Sequence, residues 1–416
     1  MRRLLHVLVL SLGLFWVSPA AAARPATEEF IAPLQSSTVP RSSERVRVLR
    51  DDLTGEPALQ ARTAQAAIAA AVDQRAVGCR MIRFGNGLGW VATGTAGYPA
   101  SKNPVAMHRF RQEARFKAFV DARLRLSECF AGLSQDARRR VTENLEQDDA
   151  IRLALINLAV NDQERLEQGL KILARGFVAY TVEVDSATRT AYVHLVTTPR
   201  TATRLTRPTP GAMETISLQE GLKQALAEIE GRLIPPVGHR QVVVNVTGET
   251  ALIGYAVNLV GAHPNQAAQQ KLRADAEKIA LSRASGALMG LAIGDDAAWR
   301  NDLDEASQAE ILATARSYDE GEPSARRFTQ IRDLVMMGML KDDPGLQALR
   351  EGRLPSAITI RRFEGENHVS VALIYTPSVR KREAVPSAAP ATRAEPPPAA
   401  TPVESSPADP TATDAR

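Results

Sequence analysis

Few residues in this chain have both the type and the spacing needed for chemistry. The sequence contains two cysteines, Cys79 and Cys129, and six histidines. In an oxidising compartment two cysteines can form a disulfide, whereas otherwise they behave as small buried hydrophobic residues. The histidines do not fall at metal-ligand spacings with the cysteines or with carboxylates. We leave the oxidation state of the cysteines open, but we expect Cys79 and Cys129 to lie close enough for a disulfide, because one precedes a predicted strand and the other lies on the face of a predicted helix that packs on the same sheet. We predict no metal site and no cofactor.

The local motifs of common hydrolases are missing from the sequence. It contains no G-x-S-x-G, no H-E-x-x-H and no papain-like cysteine context. The stretch GNGLG, Gly85 to Gly89, precedes a strand pattern, whereas a phosphate-binding glycine loop leads into a helix. We interpret this stretch as a turn and predict no catalytic residue. The alternative is a secreted hydrolase whose site is assembled from residues far apart in the sequence.

Residues 295–322 are rich in carboxylates. Clustered carboxylates can hold Ca²⁺, but the residue order of an EF-hand loop is absent here. The stretch is more typical of a solvated acidic face, or of a surface that docks a basic partner. The residues of this predicted acidic surface are Asp295, Asp296, Asp302, Asp304 and Glu305.

The first residues have the pattern of a secretory signal peptide. Arg2 and Arg3 precede the apolar run from Leu4 to Val17, and small residues follow it as far as Ala23. The run is short for a membrane span, and no comparable run occurs later. We therefore expect a mature chain that is periplasmic or secreted and has no transmembrane segment. No cysteine stands directly after the run, which argues against a lipid-anchored amino terminus.

The distribution of charge argues against nucleic acid as a partner. The formal net charge is +4 at pH 7, and two of these charges belong to the predicted signal peptide. The remaining Lys and Arg are scattered among Asp and Glu and are not gathered with aromatic residues. We therefore predict no binding of nucleic acid.

One strand ending occurs twice in the chain. Tyr192 to Pro199 reads YVHLVTTP, and Ser370 to Pro377 reads SVALIYTP. Each lies in a stretch that reads as two apolar strands around a turn, which predicts a β-hairpin. The upstream strand GWVATGTAGYP, which starts at Gly89, aligns in the same way with GYAVNLVGAHP. The second of these begins at Gly254.

An alanine-rich helix repeats between these strands. Residues 115–133 align with residues 273–291, and alanines fall on one face of each helix at helical spacing. We interpret the arginines kept in both copies as ion-pairing residues at the helix edge, with ligand contacts as the alternative. The pairs in this alignment are Arg115 with Arg273, Ala122 with Ala280, and Arg125 with Arg283.

The repeat defines the predicted organisation of the chain. We expect an α/β (α+β) fold with two tandem, duplicated helix-on-sheet sandwich domains at residues 55–200 and 216–378. A linker over residues 201–215 joins them. Residues 24–54 lack core-forming residues, and residues 379–416 are rich in Pro and Ala. We therefore predict that both segments are disordered.

The repeat also provides an interpretation of His194. Val193 and Leu195 recur as Val371 and Leu373, so this side of the hairpin is expected to face the core. His194 is not kept and lies on the opposite side of the strand. We therefore predict a surface residue and not a catalytic base.

The long helix and the strand before it are similar to a known group of proteins. The strand ends in Gly-Tyr-Pro, and the helix carries spaced arginines among alanines. This pattern, in residues 84–133 and 249–291, resembles the outer-membrane lipoprotein and flagellar-assembly lipoprotein family. The resemblance implies a non-enzymatic protein that takes part in envelope or flagellar assembly. The residues that carry it are Arg115, Ala118, Ala122, Arg125 and Leu133.

These observations give one expected function. We expect an exported, envelope-associated binding or scaffold protein whose partners are other envelope proteins. Duplication of a binding module raises the effective concentration at a repeated or two-sided partner.

Overall fold

The computed structural model describes residues 44–209, 211–244, 247–294 and 343–377. The predicted signal peptide, the carboxy-terminal tail and the acidic stretch at 295–322 lie outside these ranges.

The described residues form twelve strands and nine helices. The strands are β1 (Arg47–Arg50), β2 (Pro57–Ala61), β3 (Gly78–Phe84), β4 (Gly87–Gly97), β5 (Phe177–Asp185), β6 (Thr190–Thr197), β7 (Leu205–Thr209), β8 (Ala212–Thr215), β9 (Val237–Val244), β10 (Thr250–Leu259), β11 (Thr359–Gly365) and β12 (His368–Tyr375). The helices are α1 (Ala64–Asp73), α2 (Pro104–Ala131), α3 (Gln135–Leu145), α4 (Asp149–Leu158), α5 (Asp162–Arg175), α6 (Pro199–Arg204), α7 (Leu218–Gly231), α8 (Gln266–Ile293) and α9 (Pro344–Arg350).

The strands form two six-stranded sheets with the same connectivity. The first has the order β1-β2-β3-β4-β6-β5, and the second has the order β7-β8-β9-β10-β12-β11. In each sheet the second and third strands are parallel, and all other neighbours are antiparallel. The two repeated strand endings close β6 and β12, two residues before Pro199 and Pro377. The duplicated mixed α/β fold predicted from the sequence is therefore present.

The strand register corrects the residue alignment of the two halves. Ala92 lies opposite Leu195, and Gly254 lies opposite Leu373. Because Leu195 and Leu373 occupy the same place in the repeated hairpin, Gly254 corresponds to Ala92. The predicted match of Gly254 with Gly89 is therefore wrong by three residues.

The helix alignment is also displaced, by about one turn. Asn103 and Asn265 cap α2 and α8 by accepting hydrogen bonds from the first backbone amides, and both helices are 28 residues long. Counting from these caps, Ala122 corresponds to Ala284 and not to Ala280. Alanines recur every four residues along both helices, so a shift of four residues leaves the same face buried.

Each sheet is covered on one face by its long helix. In the first half α2 packs on β4 and β6, and in the second half α8 packs on β10 and β12. The approach is close, because a Cβ atom at Gly94 would lie 2.1 Å from the backbone nitrogen of Ala122. A Cβ atom at Gly254 would lie 2.3 Å from the carbonyl oxygen of Ala284. Glycine in the strand and alanine in the helix are therefore what allow this packing.

The opposite faces of the two sheets share one hydrophobic core. This core includes Ile82 and Val178 of the first sheet, Ile253 of the second sheet, Ile68 of α1 and Ile229 of α7. Helix α7 of the second half also contacts β5 of the first. Both faces of each sheet are thus covered, which explains why β4 and β10 read as nearly continuous apolar runs. The two halves form one compact unit and not two separately packed domains.

Two predicted boundaries change as a result. The expected linker over residues 201–215 contains most of α6 together with β7 and β8, which are the first two strands of the second sheet. The expected disordered segment 24–54 contains β1, which pairs antiparallel with β2. A short strand of mixed polarity has no strong sequence pattern of its own, because pairing with its neighbour stabilises it.

A buried charged network joins the halves. Glu228 on α7 is fully buried and accepts hydrogen bonds from Arg207 and from Gln224, the latter at 2.9 Å. Arg240 lies 3.0 Å from the other carboxylate oxygen of Glu228. Arg207 also donates to the carbonyl oxygen of Phe177 in the first half, and its guanidinium carbon lies 3.9 Å from the centre of that ring. We call Arg207, Glu228 and Arg240 the buried ion network.

No helix among the described residues is long and apolar enough to cross a membrane.

Candidate functional site

The fold brings the two cysteines together. Cys79 lies in β3, Cys129 lies in the last turn of α2, and both are free thiols in this structure. Burial, together with the neighbouring Cys129 thiol, raises the pKa of Cys79 well above its ordinary value. Because the thiolate is the reactive form, Cys79 is not an activated nucleophile. A disulfide between the two remains a prediction.

A cavity of about 530 Å³ opens beside this pair. Trp90 and Met81 of the first sheet line it together with Val48 of the edge strand β1. The charged side chains in its wall are those of Glu56, Arg80 and Glu128. A few polar groups around an apolar interior are typical of a site that accepts an apolar group and orients it.

The edge strand β1 borders the cavity. All four of its residues are exposed, and Val48 and Leu49 keep 67% and 47% of their surface exposed. Within the described ranges, β1 pairs only with β2, so one edge of its backbone has no strand partner. An exposed strand edge can accept an additional strand from another chain. We call β1 and the adjoining cavity the edge site.

A second cavity of about 330 Å³ lies between α2 and α5. Its lining combines the apolar side chains of Phe130 and Leu170 with a predominantly basic set of charged residues. These charged residues are Arg123, Arg138, Glu167, Lys171 and Arg175. It is smaller than the edge site and does not adjoin an unpaired strand.

His194 is not a surface residue as predicted, but a fully buried one. The prediction of its strand face was correct, but that face packs into the core shared by the two halves. Its Nδ1 atom lies 2.9 Å from the hydroxyl oxygen of Thr93. Burial, with a smaller contribution from Arg75, lowers the pKa of His194 to about 4. A neutral imidazole without access to solvent cannot serve as a base for an external substrate.

The predicted acidic surface cannot be placed. Its residues, Asp295 to Glu305, lie outside the described ranges. In the part of the chain that is described, no group of three or more His, Cys, Asp or Glu side chains has a geometry suited to a metal ion.

The arginines highlighted by the repeat behave differently from one another. Arg273 lies 3.1 Å from Glu364, and Arg125 lies 3.3 Å from Asp121, as expected for ion pairs at a helix edge. Arg115 has no such partner among the described residues. Its Nε atom is buried without a hydrogen bond. Spacing along one helix could not reveal that Arg115 also lies close enough to Arg232, in the second half of the chain, to lower the pKa of that arginine.

Comparisons with known proteins do not assign the chain to a family. No protein-family model and no curated protein matches it. A solved structure that matches is the 2.3 Å crystal structure of a hypothetical protein from Francisella tularensis. The two chains are 11% identical, and the match covers 70% of this chain and 83% of the other with a TM-score of 0.22. A likeness at this level carries no argument about fold or function.

Proposed function

We propose that this protein is an exported, non-enzymatic binding or scaffold protein of the cell envelope, and that the edge site receives its partner. The observation that carries the proposal is the combination of an exposed strand edge with a cavity directly beside it. In binding by strand addition, backbone hydrogen bonds supply affinity and a side-chain pocket supplies specificity.

The edge site also indicates the kind of segment it would bind. An extended segment adding to β1 would place side chains alternately toward and away from the cavity. An apolar side chain suits the surface formed by Trp90, Met81 and Val48. Arg47 and Arg50 are exposed on β1 and favour acidic residues in the incoming segment. The proposed partner is therefore an envelope protein with an extended acidic segment that contains an apolar residue.

The amino-terminal pattern supports the envelope location. A charged start, an apolar run and small residues up to Ala23 are typical of export. The neighbouring positions of Cys79 and Cys129 fit an oxidising compartment, where they could form a disulfide.

The test is to block the edge site without disturbing the fold. Val48→Asp places a charge at the mouth of the cavity, on a side chain that is 67% exposed. Val160→Asp is the matched control, because Val160 is 91% exposed and lies between α4 and α5. Envelope proteins crosslinked to each variant in cells are identified, and the recovered partner is then titrated against the pure proteins.

We expect Val48→Asp to weaken binding of the identified partner at least tenfold, and Val160→Asp to bind as the wild type does. Equal binding by the two variants would contradict the edge site. The binding function itself would be wrong if the pure protein hydrolysed an ester, peptide or glycan and one histidine or carboxylate substitution abolished that activity.

A further inference from the structure

Three arginines meet where the two halves of the molecule contact each other. Arg111 and Arg115 lie one turn apart on α2 of the first half. Arg232 follows α7 of the second half and caps it with a left-handed backbone, φ 59°. Helix α2 also contacts β10 of the second half. The three arginines therefore lie at the contact between the two halves, which we call the joint. We call Arg111, Arg115 and Arg232 the arginine cluster.

In the arginine cluster Arg232 is buried, Arg111 and Arg115 are half-buried, and none of the three has a counter-charge among the described residues. Arg232 is only 8% exposed, and the Nε atoms of all three arginines are buried without a hydrogen-bond partner. Among the described residues, no carboxylate lies within ion-pair distance of any of the three. Buried charges are normally paired, because removing an ion from water without a partner is costly.

Arg115 and Arg232 both respond to neighbouring positive charge within the cluster. Burial, followed by the charges of Arg115 and Arg111, lowers the pKa of Arg232 to about 9. Burial, followed by the charge of Arg111, lowers the pKa of Arg115 to about 10. Both side chains are nevertheless cationic at neutral pH, so the joint holds three positive charges close together.

The neighbouring histidines respond to the same field. Burial, followed by the charges of Arg232 and Arg115, lowers the pKa of His368 to about 3. Burial, followed by the charges of Arg111 and Arg232, also lowers the pKa of His108, while the charge of Glu366 acts in the opposite direction. Glu366 is exposed, so it neutralises the cluster weakly. Both histidines are neutral at pH 7 and add no positive charge.

A further polar group lies beside the cluster. Tyr98 is 6% exposed, and its hydroxyl group is buried without a hydrogen-bond partner. The guanidinium carbon of Arg111 lies 5.9 Å from the centre of the Tyr98 ring. The joint thus contains an unused hydroxyl donor as well as unused guanidinium donors.

These features point to an anion of a particular kind. A guanidinium group donates two parallel hydrogen bonds to carboxylate or phosphate oxygens. A single carboxylate brings one negative charge, whereas a phosphoryl group brings roughly 1.5 to 2 at neutral pH, with three acceptor oxygens. Because of its larger charge and its additional acceptor oxygens, a phosphoryl group matches three arginines and one hydroxyl group better than a carboxylate does.

We propose that Arg111, Arg115 and Arg232, with the Tyr98 hydroxyl, form a binding site for a phosphoryl group at the joint between the two halves. The phosphoryl group can belong to a free phosphate ion or to a lipid with a phosphomonoester headgroup, since both present the same oxygens. The proposal is independent of the edge site, which lies at β1 and in the adjoining cavity.

The test is calorimetric titration of the mature full-length protein with inorganic phosphate at low ionic strength, with acetate as the control anion. The variants Arg115→Met and Arg232→Met each remove one positive charge. The variant Arg115→Lys keeps the charge but removes the planar guanidinium group with its paired hydrogen-bond donors. The matched control is Arg109→Met, because Arg109 lies on the same helix and pairs with Glu113 at 2.8 Å. Circular dichroism verifies that each variant is folded.

Flotation with vesicles of phosphatidic acid in phosphatidylcholine, against phosphatidylcholine alone, distinguishes the source of the phosphoryl group. We expect one phosphate ion per chain, at least tenfold weaker binding for the two methionine variants, an intermediate loss for Arg115→Lys, and no change for Arg109→Met. Binding to phosphatidic acid vesicles alone, lost in the same variants, would assign the site to a lipid headgroup.

The proposal would be overturned if the wild type bound neither phosphate nor phosphatidic acid, which would mean that the three charges are already neutralised. It would also be overturned if acetate bound as tightly as phosphate. Equal weakening by Arg109→Met would show a general effect of surface charge and would equally count against the site.

Discussion

The joint between the two halves contains two groups of arginines, the buried ion network and the partly buried arginine cluster, which differ in whether a carboxylate accompanies them. In the buried ion network, Arg207 and Arg240 share the fully buried carboxylate of Glu228. Burial alone would raise the pKa of Glu228, but the two arginines hold it below its ordinary value. In the arginine cluster, no described carboxylate takes this role. The first group has a buried counter-charge, although the Nε atom of Arg207 also lacks a hydrogen-bond partner, whereas the second group has no counter-charge among the described residues.

The comparison shows that buried charge alone does not indicate function. A buried network in which opposite charges face each other holds elements in place, and removing one partner leaves an uncompensated charge. A cluster of like charges carries a standing electrostatic cost that an external ligand can offset. The sign of a substitution's effect on stability should therefore differ between the two groups.

The largest effect is expected at Glu228. Glu228→Gln would leave Arg207 and Arg240 buried without a counter-charge, and should lower the free energy of unfolding by about 3 to 5 kcal/mol. Urea denaturation of the wild type and the variant measures this loss. A loss below about 1 kcal/mol would mean that the network is not the electrostatic contact described here.

The cysteine pair lies outside both groups of arginines and gives a prediction about stability that depends on neither of them. If Cys79 and Cys129 form a disulfide, reduction should lower the free energy of unfolding by about 2 to 4 kcal/mol. Cys79→Ser should reproduce the reduced protein and should not respond to reductant. Mass spectrometry of the purified protein, before and after alkylation, detects the bond directly. The prediction of a disulfide would be wrong if both thiols of protein purified without reductant were freely alkylated.

Opposite signs are expected for matched arginine substitutions. Arg207→Met removes a partner of Glu228 and should destabilise the protein by about 1 to 3 kcal/mol. Arg115→Met removes a half-buried charge that has no described counter-charge and, in the absence of phosphate, should stabilise the protein by about 1 to 2 kcal/mol. Urea denaturation in acetate buffer measures both. Destabilisation by Arg115→Met would mean that a counter-charge already stabilises Arg115. The arginine cluster would then not differ from the buried ion network.

The smallest effect concerns the titration of His368. Its folded pKa of about 3 lies below the ordinary value of 6.5, so the unfolded chain binds a proton first as the pH falls. The contribution of neutral His368 to the free energy of unfolding is therefore fully present above about pH 6.5 and is lost progressively as the pH falls toward 3. Bound phosphate should raise this pKa by about one unit, because it offsets Arg232 and Arg115. NMR titration of the imidazole in phosphate and in acetate tests this, and equal pKa values would contradict it.

Much of the fold could be predicted from the sequence, because the repeated hairpin is a local pattern. The two strand endings identified the duplication, and strand order confirms it. The residue alignment failed where local patterns are degenerate. Alanine every fourth residue along α2 and α8 makes a shift of one turn almost invisible, and only the caps Asn103 and Asn265 fix the register.

Contacts between the halves could not be predicted in this way. His194 appeared to face solvent because a single hairpin gives no sign that α1, α7 and a second sheet cover its other side. The proximity of Cys79 to Cys129 followed from a strand and a helix within one half, so it could be anticipated. The arginine cluster combines residues more than one hundred positions apart in sequence, and no spacing rule connects Arg115 with Arg232.

The most direct test of the contrast at the joint is thermal unfolding in phosphate and in acetate at equal ionic strength. The wild type and Arg207→Met should both melt several degrees higher in phosphate, because both keep the arginine cluster. Arg115→Met should melt at the same temperature in the two buffers. An equal shift in all three proteins, or no shift in the wild type, would contradict the assignment of the arginine cluster as an open anion site.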